Sequence, residues 1–316
     1  MRDAFASAIT DVASRDPRVF LLSGDIGNRL FNDFKSRFPG RFLNCGVAEA
    51  NMTGVAAGLA LCGIRPVTYT IAAFNTARCF EQIKIDLCYH GLPVVVVGVG
   101  AGLSYAELGA THAACEDIAI LRSLPNLAIV CPGDAVEVTE ALRAALEWPG
   151  PVYLRLGKKG EPRVHKVPPE FRIGRAIVLE EGADVCLLST GTLLPATADA
   201  ARELRGRGIS AELVSFHTVK PLDEPMLSSA FSRFSVVATV EEHGAVGGFG
   251  ASVAEWLADR PPQRARLCRI TAGEGFVRSA GHQSHAREIL GLTPSAIAAR
   301  VLAARLEAGS LSKAAA

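Results

Sequence analysis

Residues 37–67 read RFPGRFLNCGVAEANMTGVAAGLALCGIRPV. From Ala48 to Cys62 the run is built of small apolar residues and is predicted to form a helix; Ile64–Thr70 follows as a predicted strand. Glu49 stands alone as a carboxyl at the start of that helix. Burying it is costly unless something partners it. In a first turn, by contrast, it would simply suit the positive end of the helix dipole. The residues alone leave both readings open. Thr53, Gly54, Ala56, Ala57 and Gly58 on the following turns let another backbone or a flat ligand come close.

The same alternation extends outward. Strands are predicted at Val19–Ser23, Val94–Val99, Leu127–Cys131 and Val152–Leu156, with helices at Thr76–Tyr89, Glu116–Arg122 and Ala135–Trp148. Val94 to Val97 is apolar on both faces, so helices must cover it on both sides. Strand, helix, strand in repetition argues a parallel, doubly wound sheet. Residues 157–174, GKKGEPRVHKVPPEFRIG, are rich in Pro, Gly and Lys without a period and read as a linker. A second series follows, with strands at Val185–Ser189, Ala211–Ser215, Val236–Glu241 and Leu267–Ile270. Its helices are Leu193–Arg207, Pro225–Phe231, Gly250–Ala258 and Pro294–Leu306. The expected fold class is therefore α/β, two doubly wound domains with mainly parallel sheets. Residues 1–158 form the first domain, 159–174 the linker and 175–316 the second, with a frayed tail after Gly309.

Composition narrows the function classes. The chain has 316 residues, 49% hydrophobic and 21% charged, with a formal charge of +1. Such a balance leaves no electrostatic footprint for nucleic acid or an anionic membrane. Lys158-Lys159 and Arg202 to Arg207 read as solvated surface. Eight cysteines sit in apolar runs without a CxxC pair, as reduced, buried thiols do. The N-terminus lacks a signal-peptide core, and the best apolar stretch, Gly54 to Gly63, is broken by glycines; the expected location is the cytoplasm. His217, His243, His282 and His285 lack ligand spacing, so no metal site is assigned.

The Arg37–Val67 run resembles the pyrimidine-binding domain of the transketolase and 1-deoxyxylulose-5-phosphate synthase families. Their pattern is RFP-x-RF, a strand, G-[IV]-A-E, a glycine-studded helix and G-x-x-P. The resemblance implies thiamine diphosphate as cofactor. Carried over, Glu49 hydrogen-bonds the ring nitrogen of the cofactor's aminopyrimidine and favours its imino tautomer. It continues through FNTARCFEQIKID, Phe74 to Asp86, where aromatic side chains are implied against the pyrimidine face. Phe74 is the first choice and Phe80 the second, although helical spacing also suits Phe80 to the core. Asp25, in Ser23–Gly27, is a further candidate cofactor contact.

GATHAACEDIAILRSLPNLAIVCPGD, Gly109 to Asp134, resembles the family's G-x-[TS]-H-x-x-x-[ED]-D stretch. It implies that His112 reaches the reaction centre, for a proton relay or a bond to a substrate hydroxyl. Glu116, Asp117 and Arg122 read as structural. Arg155 stands where relatives hold a sugar phosphate with an arginine. Two positions depart from the pattern: Gly100 replaces a usual histidine and Leu108 a usual aspartate. Tyr105 and Glu107 are the nearby replacements; without the usual groups, discrimination for an ordinary sugar phosphate should weaken, which leaves a modified, dephosphorylated or nucleotide-linked sugar, or another aldehyde, equally open.

VKPLD (Val219–Asp223) and EEHGAVGGFGASVAE (Glu241–Glu255) resemble the family's C-terminal domain, where the glycines read as close packing without a ligand. The family's preceding domain carries GDG and a downstream asparagine; no such pair occurs here. A separately encoded N-terminal, diphosphate-binding subunit is therefore expected, which would bind Mg2+ or Ca2+ and pair in a two-plus-two assembly. The implied activity is transfer of a two-carbon ketol unit from a ketose to an aldehyde. The rivals are the beta subunit of a 2-oxo-acid decarboxylase or dehydrogenase, deoxyxylulose-phosphate-synthase-like acyl transfer, and a non-enzymatic homologue.

Overall fold

The computed structural model describes residues 1–27, 29–278 and 281–314, the last five without their side chains. Among these residues, twelve strands form two sheets. In chain order they are β1 Val19–Ser23, β2 Phe42–Asn44, β3 Arg65–Ile71, β4 Val95–Val99, β5 Ala128–Val130 and β6 Val152–Leu156. The rest are β7 Ile177–Glu180, β8 Val185–Thr190, β9 Ala211–Ser215, β10 Thr218–Lys220, β11 Val236–Glu241 and β12 Arg266–Ile270.

The first sheet runs β10-β5-β6-β4-β3-β1-β2, parallel except for β10 against β5. The second runs β12-β11-β8-β9-β7, parallel except for β7 against β9. The expected α/β class with mainly parallel sheets is what the chain adopts. β4, Val95–Val99, is buried along its whole length, as a strand apolar on both faces requires. On one face Phe5 of helix Arg2–Arg15 stacks on Tyr69 of β3, with ring centroids 5.2 Å apart. On the other, helix Glu49–Leu61 buries Met52, Ala56 and Ala60.

Several local expectations are corrected. The helix expected over Thr76–Tyr89 is divided into Ala72–Thr76, Phe80–Gln82 and a π-helical stretch Ile83–Tyr89, with a turn at Ala77–Cys79. The C-terminal helix runs from Pro294 to Ala314 rather than fraying after Gly309. Cys62 is exposed, against the expectation of buried thiols; all eight cysteines are free. β10 leaves the second half of the chain and joins the first sheet, so the halves share a sheet edge. By length and composition, Gln283–Gly309 would suffice to cross a membrane. It is interrupted at Leu290–Thr293, and Ile297, Ala298, Val301 and Ala304 pack into the second core.

Residues 157–174 hold no helix and are pinned by side chains. Asp134 Oδ2 accepts from the amides of Val164 and His165, each at 2.8 Å. Phe171 stacks on His217 at 3.9 Å.

Candidate functional site

The carboxyl ends of parallel strands open onto one edge, where ligand sites of such sheets form. Gly24 and Asp25 follow β1, Glu49 lies just beyond β2, Phe74 follows β3, Gly100 follows β4 and Lys158 follows β6. These strands are neighbours in the order β6-β4-β3-β1-β2.

Glu49 opens its helix and is 1% exposed. The partner that burial demands is Arg78, whose Nη1 donates to Oε2 over 2.5 Å. The interrupted helix explains the pairing: Arg78 lies in the Ala77–Cys79 turn, close enough to reach back to Glu49. Its guanidinium also lies 4.9 Å over the ring of Phe74. Phe74 meets His112 edge-on at 5.1 Å, and His112 meets Tyr105 at 6.3 Å. Lys158 Nζ sits 4.8 Å over the Tyr105 ring and pairs with Glu107. That bond holds the Glu107 carboxyl below its ordinary range. Glu49, Arg78, Phe74, His112, Tyr105, Lys158 and Glu107 thus form one continuous row.

Gly100 explains how Tyr105 fits. Its φ is +72°, and a Cβ there would lie 1.9 Å from Tyr105 Cε2. The phenol ring fills the volume that any side chain at position 100 would take. Leu108, at the other departure, is 52% exposed. Asp25 adopts φ +57° at the surface and exchanges bonds with Asn44: Asn44 Nδ2 donates to Oδ1 at 2.8 Å, and the Asp25 amide donates to Asn44 Oδ1 at 3.2 Å. It adjoins the row through Gly24.

Two candidates fall outside the row. Arg155 is 3% exposed. Its Nε donates to Asp117 Oδ2 at 2.8 Å, and its Nη2 to the carbonyls of Ala114 and Glu242, both at 3.0 Å. A guanidinium so engaged is core structure, which corrects its reading as a phosphate ligand. Burial pushes the Asp117 carboxyl up, but Arg155 more than offsets this and leaves it below the usual range. Phe80, partly buried, packs against the core cluster that includes Met52, Ile83 and Leu87. Sequence reasoning missed Arg78 and Lys158. The signal for Lys158 was its place three residues past Arg155 at a strand end. Arg78 carried none, since a regular helix would not bring it to Glu49.

The residues fit a flat nitrogen heterocycle. A buried carboxylate is available to its ring nitrogen and an aromatic face to its plane. The slot between them now holds a planar guanidinium. Gly24 makes space alongside: a Cβ there would lie 2.8 Å from Thr70 Oγ1 and 3.4 Å from Glu49 Cγ. Thr70 Oγ1 is buried without a hydrogen-bond partner among the described residues, as expected where a polar ligand belongs. No trio of metal-ligating side chains lies together among the described residues. A cavity of about 480 Å³ lies against the Leu103–Ala113 loop, between Cys115, Val246 and Phe276, and contains none of the candidates.

Comparisons with known proteins bear on the family and the fold. The family model described as transketolase, pyrimidine binding domain, matches residues 1–162; that described as transketolase, C-terminal domain, matches residues 174–297. A 6-deoxy-6-sulfo-D-fructose transketolase subunit of Clostridium sp. (strain MSTE9) is 35% identical over 94% of this chain and 92% of its own length. An apulose-4-phosphate transketolase subunit of Phocaeicola vulgatus is 34% identical over 82% of this chain and 84% of its own. Among solved structures, one described as a split gene transketolase, inactive beta4 tetramer, superposes with a TM-score of 0.87 at 34% identity, covering 96% of this chain and 97% of that one.

Proposed function

This chain belongs to the transketolase family, and on that premise we propose that the row from Glu49 to Lys158 is its half of a thiamine-diphosphate site completed by a second subunit. The chain is the C-terminal subunit of a split transketolase, a transferase that works with a partner. The observation that carries the site reading is Glu49: a carboxylate 1% exposed, one wall of a slot whose other wall is Phe74.

When bound, thiamine diphosphate supplies the carbon nucleophile that cleaves the ketose and carries its two-carbon unit. Glu49 would hold the pyrimidine nitrogen by a hydrogen bond, and Phe74 would take the ring face. For this Arg78, whose side chain is 48% exposed, would turn outward. His112 is placed beside Phe74 to hold or pass a proton at a substrate oxygen. Tyr105 and Lys158 bound the far end, where the substrate's tail lies. Lys158 rather than Arg155 is the cation there, and its charge is already shared with Glu107. Gly100 and Leu108 stand where the family resemblance implies a histidine and an aspartate. The substrates we assign are accordingly a ketose donor and an aldehyde acceptor of a specialised kind.

Diphosphate and its Mg2+ or Ca2+ fall to the partner, since the chain's own row offers no metal-ligand cluster among the described residues. Val47 just before the helix bearing Glu49, Leu61 at the end of that helix, and Ile85 and Tyr89 on its neighbour are exposed apolar residues, and they suit a subunit contact. Two copies of each subunit form the assembly.

The experiment mixes this chain with a diphosphate-binding N-terminal transketolase subunit, thiamine diphosphate, Mg2+ and a panel of ketoses and aldehydes. Ketol transfer that requires both chains supports the reading. Decarboxylation of a 2-oxo acid in place of ketol transfer would overturn it.

A further inference from the structure

Glu242, in the C-terminal half, lies outside the row but is bonded to the loop that carries it. Its side chain is completely buried. Oε1 accepts from the amide of Leu103 at 2.7 Å and from Gln283 Nε2 at 2.9 Å. Oε2 accepts from Gln283 Nε2 at 3.1 Å and from Arg287 Nε. Gln283 also reaches Ser104 Oγ at 3.4 Å, and Arg287 Nη2 donates to the Thr192 carbonyl at 3.2 Å.

Leu103 lies just inside a closed loop. Gly102 and Ala114 exchange backbone hydrogen bonds, both 2.9 Å, and between them lie Tyr105, Glu107 and His112. The closure is gripped from the same segment: Arg155 Nη2 bonds both the Ala114 and Glu242 carbonyls, and the Gly244 amide donates to the Cys115 carbonyl at 2.7 Å. Both ends of the loop are thus tied to residues 242–244 of the other half.

We propose that Glu242 is a positioning residue, a carboxylate latch through which the C-terminal half sets the loop bearing His112 and Tyr105 against the substrate. This rests on the site reading given above. The carboxyl group receives donors on both oxygens in a place closed to solvent. A glutamine of the same shape would turn an NH2 group toward some of those donors. Losing the bond to the Leu103 amide frees the loop base without touching Glu49 or Phe74.

Glu242→Gln tests this in two measurements. Hydrogen exchange on the chain should show amides 103–112 exchanging at least about tenfold faster, with the second sheet still protected. In the two-subunit enzyme the KM for the aldehyde acceptor should rise several-fold while the affinity for thiamine diphosphate with Mg2+ stays unchanged. Gln283→Ala, at a partly exposed position, should show the same pattern more weakly and carries the test if Glu242→Gln does not fold; Arg287→Lys, which keeps the charge, should keep most of the wild-type behaviour. Unchanged loop exchange, or faster exchange across the whole C-terminal half, overturns the latch. Faster loop exchange with wild-type kinetics overturns its role in the reaction. Absence of ketol transfer in the wild-type enzyme would instead mark failure of the site reading.

Discussion

Arg78 Nη1 donates to Oε2 of Glu49 over 2.5 Å, joining a guanidinium whose side chain is 48% exposed to a carboxylate that is 1% exposed. The pair is asymmetric. Arg78 has water available to it, whereas Glu49 is buried and depends on a partner.

Arg78→Met should therefore destabilise the chain by about 1–3 kcal/mol, the cost of an unpaired buried polar group. The cofactor offers Glu49 a replacement partner. The rise in Tm on adding thiamine diphosphate and Mg2+ to the two-subunit enzyme should be larger for the variant than for wild type. An equal or smaller rise would mean that Arg78 does not stand in the cofactor's place.

Gly100 and Tyr105 should behave as one unit. Gly100→Ala meets a left-handed backbone, which costs about 1–2 kcal/mol, and in addition drives a methyl into the phenol ring. Tyr105→Ala removes the second cost but not the first. Chemical denaturation of the two single variants and the double variant should give strong non-additivity. Simple addition would show that the ring does not occupy that volume.

Arg155 and Lys158 separate stability from substrate binding. Arg155→Met leaves Asp117 buried without its counter-charge and should cost about 3–5 kcal/mol. Lys158→Met should leave Tm nearly unchanged and raise the substrate KM in the two-subunit enzyme. The opposite pattern would return the substrate contact to Arg155.

His217 makes the chain acid-sensitive. Buried and stacked on Phe171, it is depressed to about 3 by loss of water. The unfolded chain, with an ordinary histidine near 6.5, binds that proton first. Stability from this group is complete above about pH 6.5 and falls as pH drops toward 3, by up to about 1.4 kcal/mol per pH unit. His165 shifts the other way, raised beside Asp134 although burial opposes it. The contrast between wild type and His217→Asn isolates the term: their Tm difference should shrink or reverse between pH 7 and 4. A constant difference would contradict it.

Much of this was legible in the sequence for definite reasons. The valine run Val94–Val97 leading through β4 and the alternation around it dictated a parallel sheet, and strand ends at Ser23, Leu156 and Ser215 fall where the runs end. Glu49 could be singled out because a carboxyl among small apolar residues must find a partner. The identity of that partner could not, because helical periodicity hides a turn at Ala77–Cys79. Arg155 misled because a guanidinium at a strand end looks the same whether it faces a ligand or an aspartate 38 residues away in sequence. Glu242 was invisible for the same reason: its bonds to Leu103 and Arg287 join segments far apart in the chain.

Glu49→Ala in the assembled two-subunit enzyme tests the central claim most directly. With thiamine diphosphate, Mg2+ and a working ketose–aldehyde pair, ketol transfer should fall by at least about 10²–10⁴-fold, while sedimentation shows the same complex as wild type. A variant that assembles and turns over at the wild-type rate would contradict the account.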